Sequence, residues 1–337
     1  MGPTTGCSVV GGSTGGGVTG GMPCGSVGSP GPGGVDMSER LELRVAEFSR
    51  SAVLALVLLS LAACSTASEQ ATTPNTSTTS PASITEQAGP VCRFRDDRLT
   101  EISGLATSIL HPDVLWTHND SGDSARVFAV SLATCKVLAE VTLAGAEAVD
   151  TEAIAIGRDA AGQPTVWVAD IGDNTGSRPS VQLRSFLEPK RLVDRSVTPK
   201  TLIVRYPDGP HDAEGLMVDP APGGSAWIVT KKMAAKSGIY ALPQGFANSD
   251  SVRLTKVGMA PAMSTDATFA PDRHSYVIRT YLDAEVYPAP PPSTDATALG
   301  VPLQQQGEAV TFSSDSRSLY LASEGTNSEL IRFPLLR

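Results

Sequence analysis

Apolar positions in this chain recur as short runs, not as a helical stripe. One pattern returns five times: a small or acidic residue, a small residue, an aliphatic stretch, a turn, then an aromatic-led apolar run. The copies begin with Glu101-Ile-Ser-Gly-Leu, paired with Leu115-Trp116-Thr117. Next come Thr151-Glu152-Ala-Ile-Ala-Ile with Val166-Trp167-Val168, and Ala213-Glu214-Gly-Leu-Met-Val with Ala226-Trp227-Ile228. Thr265-Asp266-Ala-Thr-Phe with Ser275-Tyr276-Val277 is the fourth, and Gly307-Glu308-Ala-Val-Thr-Phe with Leu319-Tyr320-Leu321 the last. The two runs of a copy lie about 10–15 residues apart, a hairpin distance, and copies recur at roughly 40–60 residues, the spacing of propeller blades.

Third and fourth strands are legible too. Arg126-Val-Phe-Ala-Val precedes Lys136-Val-Leu-Ala-Glu-Val, and Val181-Gln-Leu-Arg-Ser-Phe precedes Thr201-Leu-Ile-Val-Arg-Tyr. Gly238-Ile-Tyr-Ala-Leu precedes a run from Ser251 to Val257. The last copy stops at Leu330-Ile-Arg-Phe, so Cys92-Arg-Phe-Arg is the natural strand to close its sheet. The expectation is an all-β propeller of five blades, or six if the long 152–214 interval hides a degenerate one. A β-sandwich is the competing all-β reading. No mature stretch holds a 3.6-residue apolar period, so helix should be scarce.

Upstream of the repeats the pattern changes character. Residues 1–36 are Gly-rich and without periodicity, which reads as a leader ahead of the true start. Its Gly11-Gly12-Ser13-Thr14-Gly15 matches the GxSxG hydrolase pattern but follows no strand, so it carries no chemistry. Residues 37–63 read as a signal peptide: Arg40, Arg44 and Arg50, an apolar run from Ser51 to Leu61, then Leu61-Ala62-Ala63-Cys64. That last tetrad resembles the bacterial lipobox, in which Cys64 takes diacylglycerol and palmitate and holds the chain on the extracytoplasmic face of the cell membrane. An ordinary secretory peptide cut after Ala63, or an uncleaved anchor, is the alternative. Residues 64–89 are rich in Ser, Thr and Pro and too poor in apolar side chains to offset their ordering entropy, which makes them a tether. Residues 90–337 form the propeller domain.

Net charge −9 argues against nucleic acid, which requires a basic surface. It also leaves membrane attachment to the acyl chains. Cys92 and Cys135 are the two thiols of the expected domain, and in an oxidising compartment a disulfide is the expected outcome. A two-Cys metal site is the weaker option, for want of CxxC spacing.

Inner strands of a propeller line its channel, and the sequence puts Glu152, Glu214, Asp266 and Glu308 at their entrances. The second-to-third loops carry a repeated DxGD, Asp120 to Asp123 and Asp170 to Asp173. Carboxylates converging on one mouth repel unless protonated or neutralised by a cation. A thiol-free oxygen site suits Ca²⁺ best, with Glu152, Glu214, Asp266, Glu308 and Asp170 as its ligands. The plainer reading has these acids capping backbone N–H groups and shaping tight turns. Asp120, Asp173, His118, His211 and Arg279 are ligand-binding candidates on the same face. The four histidines form no HxH or HxxxH pair, and solvated loop histidines are the plainer reading.

The run of SGL, TEAIAIG, VADIGDN, DAEGLMVD and QGEAV resembles secreted propellers of the phytase-esterase-like group and actinobacterial propeller lipoproteins. The resemblance covers nearly all of residues 90–337. It implies calcium in the channel, with Glu152, Glu214, Asp266 and Glu308 facing it, and hydrolysis of phosphoesters or lactones in some members. Two functions are expected: a monomeric binding or scaffold lipoprotein for a small molecule or envelope protein, and a metal-dependent hydrolase of phosphate or carboxylic esters.

Overall fold

A computed structural model describes residues 87–335; the leader, Cys64 and most of the tether lie outside the described residues. Its strands form five sheets arranged as the blades of a propeller, antiparallel except for a short parallel edge strand on two of them. Blade 1 runs outward through Ile102–Thr107, Val114–Asn119, Arg126–Ser131 and Val137–Leu143. Blade 2 uses Thr151–Arg158, Pro164–Asp170, Val181–Leu187 and Lys200–Arg205. Blade 3 uses Ala213–Val218, Ala226–Thr230, Ser237–Ala241 and Thr255–Ala260. Blade 4 uses Ser264–Phe269, Ser275–Thr280, Ala284–Pro288 and Thr297–Leu299. Blade 5 takes Gly307–Phe312, Ser318–Ser323 and Glu329–Pro334 from the end of the chain. Its outer strand, Gly89–Arg93, comes from the start and pairs with Glu329–Pro334. The ring is thus closed by hydrogen bonds between the two ends of the domain. Helix among the described residues is a single 3-10 turn, Phe246–Asn248.

Inner and second strands are buried along almost their whole length, with no polar face. The cause is the pleat: successive side chains point to opposite faces, and in a propeller both faces meet another blade. Leu115 therefore packs in the core between blades 5 and 1, and its neighbour Trp116 in the core between blades 1 and 2. Five such cores fill the gaps between consecutive blades. Trp116, Trp167, Trp227 and Tyr320 hold one register position and each points at the following blade.

The long interval before blade 3 contains no sixth blade among the described residues. The chain between the third and fourth strands of blade 2 swings out, and Arg195–Val197 joins the outer edge of blade 1 as a parallel strand. Blade 3 repeats the move. The run from Ser251 to Val257 divides at Leu254: Ser251–Arg253 covers the edge of blade 2, and the fourth strand of blade 3 starts at Thr255. In blade 4 the matching connection is proline-rich and lays Pro292 against Gly258, where any side chain would collide with its ring. Covering outer edges in this way removes templates for unwanted strand pairing.

The expected disulfide is present. Cys92 on the closing strand bonds Cys135 in the turn between the third and fourth strands of blade 1. It ties the closing strand to the next blade.

Candidate cation site at the channel mouth

Inner strands begin, and second strands end, on one face of the ring, and this face is the mouth. Each inner strand opens with a β-bulge at the same place, where one residue is left without a partner on the second strand. The bulged residues are Ser103, Glu152, Glu214, Thr265 and Glu308. Each leads into the channel throat from a different blade. Ser103 donates its hydroxyl to Glu152 Oε2 at 3.0 Å, and Thr265 donates to the Gly307 carbonyl at 2.9 Å, linking neighbours around the throat.

Asp266 is not one of these five. It stands one residue further on, at the place of Gly104, Ala153, Gly215 and Ala309, and points between blades. Its carboxylate accepts the N–H of Ala267 at 2.7 Å and of Val310 at 2.8 Å. Tyr276, the aromatic of the same blade, is displaced by one residue as well and faces back toward blade 3. A one-residue slip exchanges the two faces of a strand, so the sequence repeat of blade 4 aligns with the others while its side chains do not.

Arg279 pairs with Asp266 in register and is fully buried. Its guanidinium donates to the carbonyls of Ala309 and Ala322 and to Gln304 Oε1, and a Cβ on Gly307 would collide with it. Burial lowers its pKa to about 10, against the pull of Glu308 and Asp266. The residue staples blade 4 to blade 5.

The two DxGD motifs also differ by one position. Asp170 is the last residue of its strand, opposite Thr151, as Asn119 is opposite Ile102. Asn119 Oδ1 accepts the N–H groups of Thr100 and Glu101; Asp170 accepts those of Val149 and Asp150. Asp170 is buried and held by Arg178 at 2.8 Å and Arg184 at 3.1 Å. Its place in the fold is a buried ionic hub, not the mouth. Asp173 caps its own loop by accepting from Ser177 and Arg178, and Asp123 holds Arg126 and Asn119.

What the mouth brings together is Asp120, Asp150 and Glu152, whose ligand oxygens all lie within 4.8 Å of one another. Asp120 begins the loop joining the second and third strands of blade 1; Asp150 and Glu152 flank the first residue of the blade 2 inner strand. Gly172 makes room for them: its N–H donates to the Asp150 carbonyl at 3.1 Å, and a Cβ there would lie 2.7 Å from Glu152 Oε1 and overlap the Asp150 carboxylate. Burial, then the charges of Asp120 and Asp212, push Asp150 up to about 6. Glu152 is raised well above its usual range by burial, then by Glu214, Asp120 and Asp150.

Across the mouth, Glu214 is buried and accepts a hydrogen bond from Lys231. Glu308 accepts from Gln306, while its Oε2 is buried without a hydrogen-bond partner. Glu324, in the loop joining the second and third strands of blade 5, is raised to about 8 by burial, then by Glu308, Asp120 and Glu101. His118 is buried in blade 1, its Nδ1 bonded to the Asn119 carbonyl and its Nε2 unpartnered, and burial lowers it to about 4. His211 lies in the loop entering blade 3, where its Nε2 meets Asp208 Oδ1 and the Tyr240 hydroxyl, each at 2.9 Å.

No protein-family model matches the chain, and no curated protein is detectably similar. Among solved structures, a crystal structure of a nidogen/laminin complex is similar at 16% identity and a TM-score of 0.42, covering 68% of this chain and 74% of that chain. So distant a likeness carries no functional weight, and the five-bladed architecture rests on the sheets and registers above.

Asp150, Asp212 and Glu324 were not among the residues singled out from sequence, whereas Lys231 stood out as a base where blades 1 and 2 carry acids. A usable signal existed. Asp150-Thr-Glu152 and Asp212-Ala-Glu214 repeat an acid-x-acid step at the same point of two blades, with Glu101-Ile-Ser103 and Gln306-Gly-Glu308 as variants.

Proposed function

We propose that this protein is a lipid-anchored, extracytoplasmic binding propeller whose mouth holds a divalent cation, Ca²⁺ by preference, and presents it to a small ligand or envelope partner. The convergence of Asp120, Asp150 and Glu152 carries the reading. Two oxygens sharing one Ca²⁺ at about 2.4 Å lie at most about 4.8 Å apart, the spread these side chains already have. The donor set is carboxylate alone, which favours a hard cation. A cation there would offset the like-charge repulsion and burial that raise Asp150 and Glu152. Three carboxylates leave part of a six-to-eight oxygen shell open, and a ligand oxygen can fill it. The anchor is supported by the leader and by Leu61-Ala62-Ala63-Cys64.

Calorimetric titration of Ca²⁺ into chelator-stripped full-length protein tests the cation. The expected result is saturable binding that raises the melting temperature and weakens at least about tenfold in Glu152→Gln and Asp150→Asn. No heat and no thermal shift would refute it. For the anchor, a Cys64→Ser variant should leave the membrane fraction; unchanged membrane retention would count against lipidation.

A further inference from the structure

The mouth has two acidic halves that differ in one respect. Asp120, Asp150 and Glu152 form the half contributed by blades 1 and 2; among the described residues no Lys or Arg side chain bonds Asp150 or Glu152 directly, and the charges of Arg178 and Lys231 act on them from further off. Glu214 of blade 3 and Glu308 of blade 5 belong to the other half, and there a lysine is built in. Lys231 donates to Glu214 Oε1, its charge also acts on Glu308, and its ammonium lies 5.3 Å from the centre of the Tyr281 ring. The side chain is only 14% exposed.

Register shows what Lys231 replaces. The first residue after a second strand donates its N–H to the carbonyl before the inner strand: Asp120 to Glu101 at 2.8 Å, Lys231 to Asp212 at 2.9 Å, Glu324 to Gln306 at 3.0 Å. Blades 1 and 5 put an acid at this point and blade 3 puts an ammonium. Opposite it, Glu308 is 2% exposed and keeps one oxygen without a hydrogen-bond partner. The Tyr281 hydroxyl and the charges of Lys231 and Arg279 favour its anionic form, and the oxygen that lacks a partner leaves this carboxylate short of a full set of donors.

We propose that Lys231 is a tethered counter-cation for the Glu214–Glu308 half of the mouth, so that the channel admits one divalent ion where its carboxylates would otherwise take two. This rests on the cation reading above. An ammonium is a compact single charge: here it is bonded to Glu214, and its field reaches Glu308. Tyr281 keeps it there through the attraction of a cation to a ring face.

Native mass spectrometry of the full chain with Ca²⁺ gives the stoichiometry directly. Wild type should bind one ion, Lys231→Met two, and Lys231→Met with Glu308→Gln one again; Lys231→Arg, which keeps the charge, should stay at one. One ion in both wild type and Lys231→Met would overturn the role of Lys231 and leave the cation reading standing. No ion in wild type but one in Lys231→Met would do the reverse, and none in either would remove both. Should Lys231→Met fail to fold, Glu308→Gln alone decides: an unchanged single ion supports the division of the mouth, and its loss overturns it.

Discussion

Asp266 on the inner strand of blade 4 accepts the backbone N–H of Val310 on the inner strand of blade 5, at 2.8 Å, and so bonds one blade to the next. Burial raises its pKa well above the usual range, while the N–H groups of Val310 and Ala267, then Arg279, favour the anion. Asp266→Ala would leave the N–H groups of Val310 and Ala267 without their acceptor and take a neighbouring negative charge from buried Arg279. The expected loss is about 3 kcal/mol in urea unfolding, with Asp266→Asn costing less. Ca²⁺ binding should be unchanged in either variant, because the residue faces between blades.

Asp170 joins the entry to blade 2 with Arg178 and Arg184. Asp170→Asn keeps an acceptor for a backbone N–H but takes the counter-charge from two arginines, one of them 3% exposed, leaving them only neutral acceptors such as the Gly172 and Glu147 carbonyls. Breaking a buried pair on one side costs about 3–5 kcal/mol, and chemical denaturation should show it. A neutral result would mean that the neutral acceptors suffice for both arginines.

Glu324 sets a pH dependence. Its pKa is about 8 in the fold against an ordinary 4.5, so the folded state holds a proton that the unfolded state releases above pH 4.5. The stability linked to that proton is fully present below pH 4.5 and is lost as pH rises through about 8. Glu324→Gln keeps an acceptor for Gln306 and cannot ionise. Its melting temperature should exceed that of wild type at pH 8 and converge with it near pH 4.5; a constant offset would assign the effect to packing.

The Cys92–Cys135 disulfide spans a separation of 43 residues. Loop-closure entropy for such a span is about 4 kcal/mol, so a Cys92→Ser, Cys135→Ser variant should unfold at clearly lower denaturant. Proteolysis of that variant should begin at the released closing strand. Equal stability with and without the bond would show that the hydrogen bonds of Gly89–Arg93 close the ring unaided.

The blades were legible because each carries its own aromatic and small-residue signature, and the disulfide because only two thiols remain in the domain. What escaped was register. Asp266 looks like the equal of Glu152 in sequence, and Asp170 the equal of Asp120, yet each sits one place off in the ladder. A strand repeats every two residues, so an error of one moves a side chain from the mouth to a blade interface. The bulge that aims Glu152, Glu214 and Glu308 into the throat leaves no mark in composition. Edge strands such as Arg195–Val197 were hidden because pairing across blades depends on where a long connection lands, not on its own three residues.

The closing strand has a direction. Gly89 lies opposite Arg332 and Arg93 opposite Glu329, and Glu329 follows directly on the loop that carries Glu324, so the strand advances toward the acids. Gly89 therefore lies at the end of the sheet away from the mouth. A pull on the chain ahead of Gly89 would load the hydrogen bonds of the closing strand first and reach the covalent stop at Cys92 three residues later.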